Sequence, residues 1–147
     1  MPVGTPPATH PVDTRTTLGS RGEQIAVDHL TGLGFTVLAR NHRTRHGEID
    51  AVAYRDRLLV FVEVKTRRVP DAAHGTAASG QATSQDPQSI GWPRRAQRLR
   101  ARRLALEWLA AGFPGSPPAR EIRFDVIMVA LAQDGSRVSL QHLEGTL

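Results

Sequence analysis

The chain has 147 residues, the length of one domain, and its hydrophobic content of 39% is low for one compact throughout. Without cysteine it has neither a disulfide framework nor a thiolate metal site, and no apolar run approaches the roughly 20 residues of a membrane span. A net charge of +5 and a pI of about 11.1 point toward polyanion partners.

Residues 1–18 hold four prolines and five threonines with almost no apolar periodicity, which predicts a disordered tail before one domain over 19–147. No basic segment followed by an apolar one marks a secretory signal, so a cytoplasmic protein with no membrane partner is expected. Ser20-Arg21-Gly22-Glu23 has the form of a capping box and predicts that a helix opens there. Ile25, Ala26, His29, Leu30 and Leu33 continue at helical spacing until Gly32 and Gly34 end it.

Three strand-like runs follow, Phe35 to Arg40, Glu48 to Tyr54 and Leu58 to Lys65. Their short links predict an antiparallel meander. The third run is apolar on both faces, as in a central strand covered on two sides. Residues 69–91 turn to Ala, Ser, Gly, Gln, Thr and Asp, which predicts a flexible loop. A second helix is predicted from Pro93 to about Ala111, with Leu104, Ala105, Trp108 and Leu109 toward the sheet. Two last strands, Ile122 to Ala132 and Arg137 to Leu143, are joined around Asp134-Gly135 as a hairpin.

The chemistry concentrates at Asp50, Glu63 and Lys65. Asp50 is an acid embedded among apolar strand residues, and Glu63 and Lys65 end the next strand. Residues two apart on a strand share a face, and pairing through the short link sets Asp50 opposite them. Half-buried charges are costly unless they are paired or bind a metal. Two close carboxylates call for a divalent cation, and hard oxygen ligands favour Mg2+ or Mn2+ over zinc. Such an ion activates water and polarises a phosphoryl oxygen. Eighteen of the 19 basic residues are arginine, and the sole lysine is Lys65. A compact point charge beside a water molecule is a role that the wide guanidinium fork fills poorly. The competing reading is an ordinary surface ion pair between Glu63 and Lys65 on an edge strand.

Gly22-Glu23, Asn41, Gly47-Glu48-Ile49-Asp50, Phe61-Val62-Glu63-Val64-Lys65-Thr66-Arg67 and Arg123-Phe124-Asp125-Val126 resemble, in order along the chain, the YraN-like family of small bacterial proteins. That family is grouped with the endonucleases of the PD-(D/E)XK superfamily and is similar to archaeal Holliday-junction resolvases. The resemblance implies an α/β fold with a restriction-endonuclease-like αβββαβ core, a central mixed sheet flanked by helices. It implies a metal site at Asp50, Glu63 and the Val64 main-chain carbonyl, with Lys65 as base or water-orienting residue. It also implies that Glu23 joins the site, whereas the capping box explains the same residue by local helix stability. Glu48, two residues before Asp50, is a helper on the strand or a solvent-facing acid.

The second helix carries Arg94, Arg95, Arg98, Arg100, Arg102 and Arg103, where family members often have a lysine near the start. Cations at a helix N-terminus oppose its dipole, and phosphate binding would explain Arg94, Arg95 and Arg98. A solvated helix is the plainer account. Arg43, Arg45 and Arg67 are further phosphate-binding candidates close to the metal. His42 and His46 read as exposed loop histidines, and Asp125 as the structural partner of an arginine. The expected function is metal-dependent hydrolysis of DNA, with branched DNA suggested by the junction resolvases. Symmetric cutting of a junction would require a homodimer. The alternative is a non-catalytic nucleic-acid-binding module of the same fold.

Overall fold

Leu18, Ile25, Ala26 and Leu30 line one side of a helix, and all four pack against the same face of a β-sheet. That helix, α1, spans Thr14–Gly32. The expected start at Ser20 is therefore corrected, since Ser20 and Glu23 both lie inside the helix rather than at its cap. Burial of Leu18 against the core is the physical reason, because tertiary packing overrides weak local propensity. Residues 14–18 of the expected tail are likewise helical. The computed structural model describes residues 14–70, 95–113, 115 and 117–147. Residues 1–13, Pro93 and the expected loop from residue 71 onward lie outside them.

After α1 come β1 (Thr36–Thr44), β2 (Gly47–Arg55) and β3 (Leu58–Arg68), then α2 (Arg95–Ala110), β4 (Glu121–Leu131) and β5 (Arg137–Leu143). β1, β2 and β3 are antiparallel neighbours, as short links require. Asp56 and Arg57 turn the second hairpin with φ of 50° and 67°, the left-handed pair of a two-residue loop. β3 and β4 are parallel, with α2 in the crossover between them. β5 returns antiparallel to β4. The five strands lie in the order β1-β2-β3-β4-β5. This is the mixed α/β sheet with a C-terminal hairpin that a restriction-endonuclease-like core calls for.

The sheet is covered on both faces, which explains the unbroken apolar run of β3. Ala51, Ala53, Val60 and Val62 pack on the α1 side, and Val52, Leu59 and Phe61 on the α2 side. α2 contributes Leu104, Ala105 and Trp108. The Trp108 ring stacks on Phe113 and meets Phe61 edge-on. Leu109, expected to face the sheet, is instead 38% exposed, because it lies on the outer edge of the buried arc. No helix among the described residues is long and apolar enough to cross a membrane.

Candidate active site

The side-chain alternation of β2 breaks at Asp50. Ala51 and Ala53 face α1 and Val52 faces α2, yet Ile49 also packs with the α2 cluster. Pairing with β1 passes from Arg40–Ala51 to His42–Ile49, and pairing with β3 stops at Ala51–Val62. Beside the break Asn41 has φ of 47°, a left-handed conformation that asparagine tolerates better than most residues. Asp50 thus leaves the ladder and turns toward β3, where its Oδ2 accepts the Val64 N–H at 2.7 Å. The N–H and C=O of one strand residue point to the same edge. The Val64 carbonyl is therefore turned to the side of Asp50, which a main-chain ligand there requires.

Helix α1 arrives at the same place through Gly22. This residue is buried, and a Cβ on it would lie 1.8 Å from Thr66 Oγ1. The bare backbone lets α1 approach β3 closely and delivers the next residue, Glu23, to the strand ends. Carboxylate oxygens of Glu23, Glu48 and Asp50 come within 4.8 Å of one another. Glu63 and Lys65 share a face, as strand periodicity predicts, and Lys65 Nζ lies 2.5 Å from Glu63 Oε1. Glu48 also accepts a hydrogen bond from Arg43 Nε at 3.2 Å.

Burial pushes the Asp50 carboxyl up to about 6, and the charges of Glu23, Glu63 and Glu48 add to the rise against the Val64 N–H bond. The neighbouring acids thus oppose the ionisation of Asp50. Hard oxygen donors gathered from α1 and β2 fit a divalent cation of the magnesium or manganese kind, while Glu63 of β3 lies outside that group of three and pairs with Lys65. Asp50, Glu63 and the Val64 carbonyl, with Glu23 and Glu48 beside them, are the residues that could hold it.

Glu48, Asp50, Glu63, Val64 and Lys65 border a cleft of about 340 Å³ whose far wall is α2, including Gln97, Arg100, Ala101 and Leu104. Of the six arginines of the second helix, the sequence points to Arg94, Arg95 and Arg98 for phosphate binding, yet Arg100 is the α2 arginine that lines the cleft. Its guanidinium lies over Gly47, where a Cβ would fall 2.7 Å from Nη2, and Gly47 has φ of +146°. A side chain at that position would meet both obstacles. Arg100 makes no hydrogen bond or ion pair with another described residue. It sits one turn before the buried Leu104, the signal that separates it from its neighbours.

Arg95 and Arg98 are exposed on α2 and do not line the cleft: Arg98, two residues before Arg100, points to nearly the opposite side, and Arg95, five before it, is turned away by about 140°. Arg94 lies outside the described residues. Arg43 is exposed on β1, Arg45 is exposed in the following turn, and Arg67 is exposed on β3 two residues beyond Lys65. His46 is an exposed turn histidine as expected, whereas His42 is half-buried on a strand. His42 is on β1 and meets Phe113 edge-on, and His46 Nδ1 contacts Glu107 of α2. Both tie the β1–β2 hairpin to the region of α2.

Asp125 is fully buried and accepts hydrogen bonds from Arg123 at 2.9 and 2.8 Å, His142 Nε2 at 2.7 Å and the Gly145 N–H at 2.9 Å. Burial raises its carboxyl, but the bonds from His142, Arg123 and Gly145 outweigh that and hold it below the usual range. The arginine pairing expected from sequence is present, and it belongs to the join between β4 and the end of the chain rather than to the cleft.

The model of the uncharacterised protein family UPF0102 matches residues 22–129, a span that contains Glu23, Glu48, Asp50, Glu63, Lys65 and Arg100. A UPF0102 protein of Mycolicibacterium vanbaalenii is 44% identical over 134 residues, covering 90% of this chain and 95% of the relative. One of Kineococcus radiotolerans is 42% identical over 134 residues, covering 91% and 96%. One of Streptomyces griseus is 40% identical over 134 residues, covering 91% and 98%. With the family model matched from α1 to β4 and relatives alike over almost their whole length, the chain belongs to the UPF0102 family.

Proposed function

We propose that the chain is a metal-dependent endonuclease that hydrolyses phosphodiester bonds in DNA, with Mg2+ or Mn2+ as its cofactor. One observation carries the reading: the carboxylates of Glu23, Glu48 and Asp50 converge within 4.8 Å beside the Glu63–Lys65 pair. Mutual repulsion makes such a cluster costly to fold unless a cation is its purpose. The sequence resemblance to the PD-(D/E)XK enzymes agrees with it.

In this reading Asp50, Glu63 and the Val64 carbonyl would hold the ion, with Glu23 and Glu48 as further oxygen donors close to Asp50. A bound divalent ion supplies Lewis acidity toward a phosphoryl oxygen and a water of lowered pKa. The Val64 N–H fixes the orientation of Asp50. Lys65 directs its ammonium at the attacking water and offsets the charge that develops on the phosphate. Arg100, across the cleft, grips a phosphate through its planar fork. Branched DNA is the substrate suggested by the likeness to junction resolvases, and paired cuts across a junction would call on a homodimer.

The test incubates purified protein with linear, flap, single-stranded and four-way-junction DNA in manganese, magnesium or chelator. Metal-dependent cleavage that Asp50→Ala abolishes is expected. Identical residual cleavage by wild type and Asp50→Ala in every metal removes the catalytic reading. Retained binding without cleavage points instead to a nucleic-acid-binding module of the same fold.

A further inference from the structure

We propose that the face of β3, β4 and β5 beside Lys65 is a nucleobase-binding groove, which receives one unpaired base of the DNA strand engaged at the carboxylate site. The inference rests on the nuclease reading for the strand's identity, but its geometry stands apart from the acids. A shallow hollow of about 130 Å³ has Lys65, Arg67, Met128, Ala130, Ser139 and Gln141 in its lining, together with Thr66 and Val129 between them. The register explains why these six meet. Lys65 pairs with Met128 and Met128 with Gln141, while Arg67 pairs with Ala130 and Ala130 with Ser139. They form two rows across three strands, all projecting from the α2 side of the sheet.

Half-buried Met128 gives the hollow an apolar floor above the buried Ala130, Lys65 and Arg67 a cationic edge, and Gln141 and Ser139 a hydrogen-bonding edge. A flat floor accepts the face of a ring, and a thioether sulfur makes a favourable contact with one. The Gln141 amide both donates and accepts, which matches the edge of a base. The cations suit the phosphates on either side of it. Among the described residues, the side chains of Arg67, Ser139 and Gln141 have no hydrogen-bond or ion-pair partner. α2 leaves this area open among the described residues, because its buried side chains pack over Ile49, Val52, Leu59 and Phe61.

Lys65 borders both this hollow and the cleft of the carboxylates. A strand with its phosphate at Lys65 therefore reaches the groove without a gap. A base stacked in a duplex has both faces covered, so only an unpaired or extruded base can lie on this floor. The groove thus assigns the substrate a single-stranded or distorted nucleotide next to the reacting phosphate.

Fluorescence polarisation with the full chain tests this, using a labelled single-stranded oligonucleotide and a blunt duplex, in calcium and again in chelator. Met128→Ala with Gln141→Ala is expected to weaken single-strand binding about tenfold, the scale of one base's contacts, and to leave duplex binding unchanged. Gln141→Ala and Ser139→Ala alter exposed side chains alone and serve as variants whose folding is secure. Unchanged single-strand binding in these variants, or an equal loss on both DNAs, overturns the groove. A chain that cuts no DNA but shows the groove-dependent preference for single strands refutes the nuclease reading and supports the groove. Cleavage abolished by Asp50→Asn, together with groove-independent binding, does the reverse.

Discussion

Gly22 and Thr66 approach so closely that a Cβ on the glycine would fall 1.8 Å from the threonine hydroxyl and 2.8 Å from its Cβ. This contact seats α1 on β3 and carries Glu23 to Asp50. Gly22→Ala should destabilise the fold by about 1–3 kcal/mol, the cost of overpacking a tight interface, and should depress cleavage further by displacing Glu23. Thr66→Ala in the same chain removes Oγ1 and Cγ2 but keeps the Cβ at 2.8 Å, and should restore part of both. Urea unfolding midpoints and cleavage rates of the single and double variants check this, and an unshifted midpoint for Gly22→Ala would refute it.

Asp50 gives the fold a pH dependence of unusual sign. Its carboxyl is raised to about 6 from 3.8, so between those values the folded protein holds more protons than the unfolded chain. In chelator, stability should fall as pH rises through that window and level off above it. Asp50→Asn should flatten the slope and be more stable at neutral pH by roughly 1–2 kcal/mol after solvent screening. Manganese or magnesium should reverse the penalty in wild type, raising its thermal midpoint at neutral pH much more than that of Asp50→Asn. Equal metal shifts in the two proteins would exclude Asp50 as a ligand.

Lys65 and Arg100 carry the two cationic roles, and substitution should separate them. Lys65→Arg keeps the charge but not its compact shape, so cleavage should fall on the order of 100-fold with DNA binding retained. Arg100→Ala should weaken binding about five- to tenfold and reduce the salt dependence by about one counterion. Arg98→Ala, on the far side of α2, should do neither. Titrations over a range of salt concentrations distinguish these outcomes, and a larger effect at Arg98 than at Arg100 would move the DNA path to the outer face of α2.

Asp125 should behave oppositely to Asp50. Asp125→Ala leaves Arg123 and His142 facing a buried void without their carboxylate, a change worth about 3–5 kcal/mol. Because its folded pKa is held below the ordinary value, that stabilisation is present above 3.8 and is lost as pH falls through the folded value. The gap between wild type and variant should therefore narrow in acid. Cleavage per folded molecule should not change, and a specific loss of rate would show that Asp125 reaches the cleft chemistry.

Much of the architecture was legible in local pattern. The apolar period of α1, the doubly buried run of β3 and the Asp134-Gly135 turn all describe neighbouring residues, and backbone geometry translates such spacings directly into elements. The common face of Glu63 and Lys65 follows from the same two-residue period and needs no partner to be inferred. The start of α1 escaped that logic, because Leu18 earns its place in the helix only by contact with a distant sheet.

The sequence by itself determined the elements, their order and the Glu63–Lys65 pair, since each depends on residues a few positions apart. Tertiary structure decided the rest of the site. It placed Glu23 with Asp50 and Glu48 instead of at a cap, turned Asp50 out of its ladder beside Asn41, and selected Arg100 over Arg98. Each of those outcomes depends on surfaces closing on one another, as Gly22 closes on Thr66 and Gly47 on Arg100. Such close approach is set by the absence of a side chain at one position and the shape of a residue 44 or 53 positions away, a relation that no local periodicity encodes.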